Sequence, residues 1–200
     1  MRRFALAALI MMASATSVHA QVYERPKYTV GDTWRYTNGD VRTIIKVSEE
    51  GIVQTRSSSP CPTCQWVIDK DGTLLQVLTA DGKPADTSPF GFLPIGMKLT
   101  QWPLEPNRTW QVREPGLSRD NTNFYIIDCT VSTLQDVKTK AGTFKAYRID
   151  RSWKIKVSRT GPPPNWNDAI WIAPEVKGLV KLESGTRAPS FELESYKIAP

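Results

Sequence analysis

Residues 141–184 read AGTFKAYRIDRSWKIKVSRTGPPPNWNDAIWIAPEVKGLVKLES, and the fold class follows from this stretch. After a glycine turn, Tyr147, Ile149, Trp153, Ile155 and Val157 alternate with Arg148, Asp150, Ser152, Lys154 and Lys156. A period of two is the mark of a strand with one face buried. Arg151 falls on the apolar side. Either a bulge sits near Asp150-Arg151, which is the plainer reading, or an arginine points inward and requires an acidic or carbonyl partner. Pro162, Pro163 and Pro164 interrupt the run, which resumes as Ala169–Pro174 and then Gly178–Ser184. Strand, loop, strand, turn, strand is a meander, and a meander buries its apolar side only by pairing with further strands. A mainly β chain with little helix is therefore expected.

Working outward, Tyr28–Tyr36 places Trp34 and Tyr36 on one face of an entry strand, and Asn38-Gly39-Asp40 is a hairpin signal. The return strand alternates Val41, Thr43, Ile45 and Val47 against Arg42, Lys46 and Ser48, which puts Arg42 on the polar side. Further strands are expected over Ile52–Ser57, Gln65–Asp69, Thr73–Thr79 and Asn123–Gln135, separated by Gly-containing or Asp-containing turns at regular spacing. Pro84–Pro94 and Pro162–Asp168 read as longer loops.

At 200 residues, with 40% hydrophobic and 23% charged, the chain fits one domain with a sizeable core. Met1–Ala20 reads as a secretory leader: Arg2 and Arg3, an apolar Phe4–Ala13, and Val18-His19-Ala20 before a cut ahead of Gln21. Residues 21–200 then form a single β-rich domain, periplasmic or secreted, with no cysteine placed for a lipid anchor and no further segment apolar enough to span a bilayer. Removal of the leader takes His19, the only histidine. A mature chain without imidazole cannot build a Ser-His-Asp or Cys-His site, nor a histidine zinc site. The net charge falls from +6 to +4, because Arg2 and Arg3 leave 24 basic against 20 acidic residues.

The runs Ala141-Gly142-Thr143-Phe144-Lys145-Ala146 and Ile170-Trp171-Ile172-Ala173-Pro174-Glu175-Val176-Lys177-Gly178-Leu179-Val180-Lys181, with Val30-Gly31-Asp32-Thr33-Trp34, resemble a TapB-like family of exported bacterial β domains. Lys177 departs from that pattern. The resemblance implies a curved antiparallel sheet forming a half-barrel or barrel-like sandwich, similar in style to periplasmic carriers of the LolA and LppX type. It implies no catalytic residues.

Cys61-Pro62-Thr63-Cys64 leads into a strand rather than a helix, so a structural disulfide between Cys61 and Cys64 is expected instead of a redox site. Cys129 reads as a buried thiol, although three cysteines allow three pairings. The basic run from Lys138 to Arg159 reads as a solvated strand face. Phe90, Phe92 and Trp166, on the two long loops, are the candidates to line the entrance of an apolar cavity. The expected function is non-enzymatic binding of a lipid, a lipoprotein segment or an envelope component, with no metal, cofactor or nucleic acid. The alternative is a structural or assembly partner that uses an exposed sheet edge and has no small-molecule site. An enzyme would need paired carboxylates or a Ser-Lys dyad, and no spacing singles one out.

Overall fold

The computed structural model describes residues 22–57, 61–87, 93–115, 124–156, 165–185 and 189–200. The expected leader, and with it His19, lies outside the described residues, as do Phe90 and Phe92. Among the described residues eleven strands make one antiparallel sheet. They are β1 (Thr33–Tyr36), β2 (Val41–Val47), β3 (Ile52–Arg56), β4 (Gln65–Ile68), β5 (Leu74–Leu78), β6 (Thr109–Pro115), β7 (Phe124–Thr139), β8 (Gly142–Lys156), β9 (Asn165–Ala173), β10 (Gly178–Glu183) and β11 (Phe191–Lys197). The spatial order is β5-β4-β3-β2-β1-β11-β10-β9-β8-β7-β6. Each half is thus a meander, and β11 joins the halves by pairing with β1. The sheet curves into an open, sandwich-like shape and is not closed into a barrel, since β5 and β6 stand at its two ends.

Helix is confined to one 3-10 turn, Pro174–Val176, among the described residues. No helix there is long and apolar enough to cross a membrane. Ala169–Ala173 is buried at every position, with Trp171 in one core cluster and Ile170 and Ile172 in the other. A strand covered on both faces reads as a continuous apolar run, as Ala169–Ala173 does.

The entry to β1 and the residues after β11 meet at the turn after β9. Asp32 is fully buried and accepts the backbone N–H groups of Thr29 (2.8 Å) and Ala199 (2.9 Å), while Lys177 Nζ pairs with it at 3.1 Å. Lys177 adopts a left-handed backbone (φ 54°), which aims its amine at Asp32. Trp34 Nε1 donates to the Val176 carbonyl at 2.7 Å. The entry strand and the Pro174–Gly178 turn, distant in sequence, are therefore one tied unit.

The structure changes three local expectations. First, no bulge interrupts β8 at Asp150-Arg151: pairing with β9 runs unbroken from Tyr147–Ile172 to Lys154–Asn165. The irregularity lies instead in β7, between Val131 and Leu134. Second, β9 begins at Asn165, so Trp166 and Asp168 stand on a strand rather than in a loop. Third, the buried side of β2 carries Arg42 and Ile44, whereas Ile45 and Val47 are 41% and 45% exposed. A register shift between Ile44 and Lys46 separates the two ends of that strand, so the alternation read across it is misleading.

The Sγ atoms of Cys61 and Cys64 are 2.07 Å apart, a disulfide distance, in the turn that feeds β4. Cys129 is free and buried, and burial pushes its thiol up to about 12 against a smaller opposing pull from Arg151. The protein is expected to show no thiol reactive toward an Ellman-type reagent while folded, and one per chain after unfolding. A thiol that titrates in the native state would contradict this placement.

Candidate binding cleft

The concave side of the sheet holds a cleft of about 420 Å³. One wall is apolar: Trp153 of β8, Ile170 and Ile172 of β9, Leu182 of β10 and Phe191 of β11. The opposite wall carries Arg42, Gln54 and Ile68 from β2, β3 and β4, and Pro94, Leu99 and Trp102 of the β5–β6 connection cover it. Two smaller hollows adjoin it, of about 60 Å³ beneath Trp34 and Tyr36 and about 310 Å³ beneath Trp66 and Met97. Arg42, Gln54 and Ile68 border all three. The total is within the range of about 300–1,000 Å³ that small-molecule sites occupy.

Two charge systems flank this space and differ in balance. Arg151 forms a bidentate pair with Asp168, Nε to Oδ1 at 2.6 Å and Nη2 to Oδ2 at 2.8 Å. Both side chains are nearly enclosed, 8% and 12% exposed, and the guanidinium lies 5.5 Å from the Trp153 ring. This is the inward arginine with an acidic partner. The partner is cross-strand, since Arg151 and Asp168 face each other in the β8–β9 register.

On the other wall Asp40, fully buried, accepts Arg42 Nε at 2.8 Å and Arg56 Nη2 at 2.7 Å. Burial alone would raise the Asp40 carboxyl, but Arg42 and then Arg56 outweigh it and hold it well below the usual carboxylate range. Arg56 is drawn down to about 10, first by burial and then by repulsion from Arg42, against the pull of Asp40. The aromatic side chains fix both guanidinium groups: Arg42 lies 4.7 Å from the Tyr36 ring and Arg56 4.6 Å from the Trp66 ring.

Of the residues expected at an entrance, Trp166 is half-buried and stacked on Trp153, centroids 5.3 Å apart and planes within 12°. It abuts the cleft wall through Trp153 but is not itself a lining residue. Phe90 and Phe92 lie outside the described residues. The basic run on β7 and β8 behaves as a solvated face: Lys145 pairs with Asp136, Arg148 with Asp150 and Lys154 with Asp128, all substantially exposed.

Sequence reasoning missed Asp40, Arg42, Gln54 and Arg56. Asp40 belongs to the hairpin signal, and the alternation of the return strand puts Arg42 on its polar side. The available signal was Asp40-Val41-Arg42 itself, since residues two apart at a strand start share a side.

No curated protein matches this chain. Solved structures similar to it include a candidate lipoprotein from Parabacteroides distasonis ATCC 8503, at 14% identity and TM-score 0.46 over 88% of this chain and 99% of that one. The hypothetical lipoprotein YmcC from Escherichia coli K12 is 15% identical with a TM-score of 0.42, over 84% of each chain. A candidate exported protein with a YmcC-like fold from Bacteroides fragilis NCTC 9343 is 13% identical with a TM-score of 0.38, over 88% of this chain and 100% of that one. None of these three carries the TapB-like, LolA or LppX names that the sequence suggests. In sequence, residues 94–191 match the DUF3108-like family model, a span that includes the Arg151 wall of the cleft and excludes the Arg42 wall.

Proposed function

We propose that this protein is a non-enzymatic binder of the bacterial cell envelope, periplasmic or secreted behind a cleaved Met1–Ala20 leader, and that it takes a lipid-like ligand into the concave cleft. The observation that carries this reading is the apolar wall of Trp153, Ile170, Ile172, Leu182 and Phe191 facing a cleft of about 420 Å³. An apolar wall left in contact with solvent costs roughly 25 cal/mol per Å², which an acyl chain recovers on binding. The Cys61–Cys64 pair suits an oxidising compartment. Trp166, stacked on Trp153, is proposed as the aromatic at the rim, together with Phe90 and Phe92 on sequence grounds.

The test is uptake of a fluorescent fatty-acyl probe by the exported protein. Leu182 is half-buried in the cleft wall, so Leu182→Trp fills space without opening the core. Uptake is expected to fall at least tenfold in that variant, with melting changed by no more than a few degrees. Absence of uptake by the unmodified protein overturns the reading. So does undiminished uptake in a folded Leu182→Trp.

The alternative of an assembly partner rests on the end strand β6, which pairs only with β7 among the described residues and leaves one edge open. Co-purified lipid detected by native mass spectrometry favours the cleft. A stoichiometric protein partner lost when β6 is capped by proline favours the edge.

A further inference from the structure

We propose that the Arg42 end of the cleft is an anion site, and that the ligand is a single-chain amphiphile with its acidic head on Arg42 and Gln54 and its chain along Ile170, Ile172 and Trp153. This deepens the cleft reading above and rests on it.

The first argument is unused hydrogen-bonding capacity. Arg42 gives only its Nε to Asp40. Among the described residues nothing accepts from its two Nη groups, and the Gln54 side-chain amide has no partner either. Both side chains are part-buried and border all three hollows, so these groups face the space where a ligand would lie. A guanidinium offering two parallel N–H groups matches a carboxylate or phosphate in shape as well as charge.

The second argument is charge. Two arginines share the one carboxylate of Asp40, leaving an excess of one positive charge at this wall. The other cations near the cleft are spent: Arg151 on Asp168 and Lys177 on Asp32. The excess is therefore confined to one end. Arg56 is drawn down first by burial and then by Arg42, and a bound anion relieves the second of these.

The third argument is preorganisation. Arg42 is clamped by Asp40 and lies 4.7 Å from the Tyr36 ring and 5.9 Å from the Phe191 ring, so little side-chain freedom remains to be lost on binding. Phe191 also belongs to the apolar wall, which places head and chain subsites side by side.

The shared head chemistry is a carboxylate or a phosphate monoester, and calorimetric titration of the exported protein separates them. Laurate, dodecyl phosphate, neutral dodecanol and inorganic phosphate are the probes. At least one of the two acidic amphiphiles is expected to bind ten or more times more tightly than dodecanol, and the tighter of the two identifies the head. In Arg42→Met the preference over dodecanol is expected to fall to about twofold. That variant keeps the Asp40–Arg56 pair, so the buried carboxylate stays compensated. Gln54→Leu, which touches no ion pair, is expected to weaken the preference several-fold and serves should Arg42→Met fail to fold. Dodecanol binding as tightly as the acids overturns the anion site and leaves the cleft reading standing. Binding of none of the amphiphiles removes both. Inorganic phosphate displacing the acids at equal concentration overturns the amphiphile assignment. An acid preference undiminished in folded Arg42→Met overturns the role of Arg42.

Discussion

Replacing Asp168 by Ala is expected to lower the unfolding free energy by about 3–5 kcal/mol, the cost of stranding one partner of a buried ion pair. The Arg151 guanidinium is 8% exposed and makes two hydrogen bonds to this one carboxylate. Without it a nearly enclosed cation remains beside Trp153 on the cleft wall, with little water to replace the carboxylate it lost. For a chain of this size the change corresponds to a fall in Tm of about 10 °C. Restoring balance should restore stability: the double variant Arg151→Met, Asp168→Leu is expected to recover most of the loss, since well-packed apolar groups replace a buried pair at little cost. The coupling read from that cycle by urea denaturation is the measurement. A loss under about 1 kcal/mol in Asp168→Ala would mean that the pair is open to solvent.

Replacing Asp40 by Ala is the second large effect, expected at about 3 kcal/mol. It is at the lower end of the range for buried pairs because Arg42 and Arg56 are 20% and 25% exposed and keep some water. The sign of its pH dependence follows from the depressed carboxyl. A group whose folded value lies below its unfolded value, about 3.9 for Asp, contributes stability that is present above that value and lost as the pH falls through the folded one. The gap between the unmodified protein and Asp40→Ala is thus expected to be constant from pH 7 to about pH 5. It then narrows by about 1 kcal/mol as the pH reaches 3. Denaturant midpoints at several pH values measure it. A gap that stays level down to pH 3, or that widens on acidification, would show that Asp40 is not held ionised by its two arginines.

These two carboxylates also mark where reading the sequence reached its limit. The sequence puts Asp168 in a loop, because three prolines and an Asn-Trp-Asn-Asp run precede Ala169. Nothing local shows that Asn165–Asp168 already pairs with Ser152–Lys154 and Arg151. Asp40 was absorbed by the hairpin it closes. Both partners are remote, Asp168 seventeen residues from Arg151 and Asp40 sixteen from Arg56, and only strand register brings each pair together.

What the sequence determined by itself is what short-range physics controls. Alternation over Tyr147–Val157 dictates a strand, Asn38-Gly39 dictates a hairpin, and the position of Cys61-Pro62-Thr63-Cys64 before a strand dictates a staple rather than a redox helix. Such signals depend on backbone sterics and on side chains a few residues apart, so they are legible in one dimension. The tertiary structure alone decided which face of β2 is buried: Ile44 is 1% exposed while Ile45 is 41% exposed, and the ladder shifts register between Ile44 and Lys46. It also decided that Arg42 and Gln54 would share the cleft with Ile170 and Ile172 from the other half of the chain, with Arg56 in the adjoining hollow. A one-residue irregularity reverses every later side chain, and a cleft between two halves of a sheet exists only once both have curved toward each other.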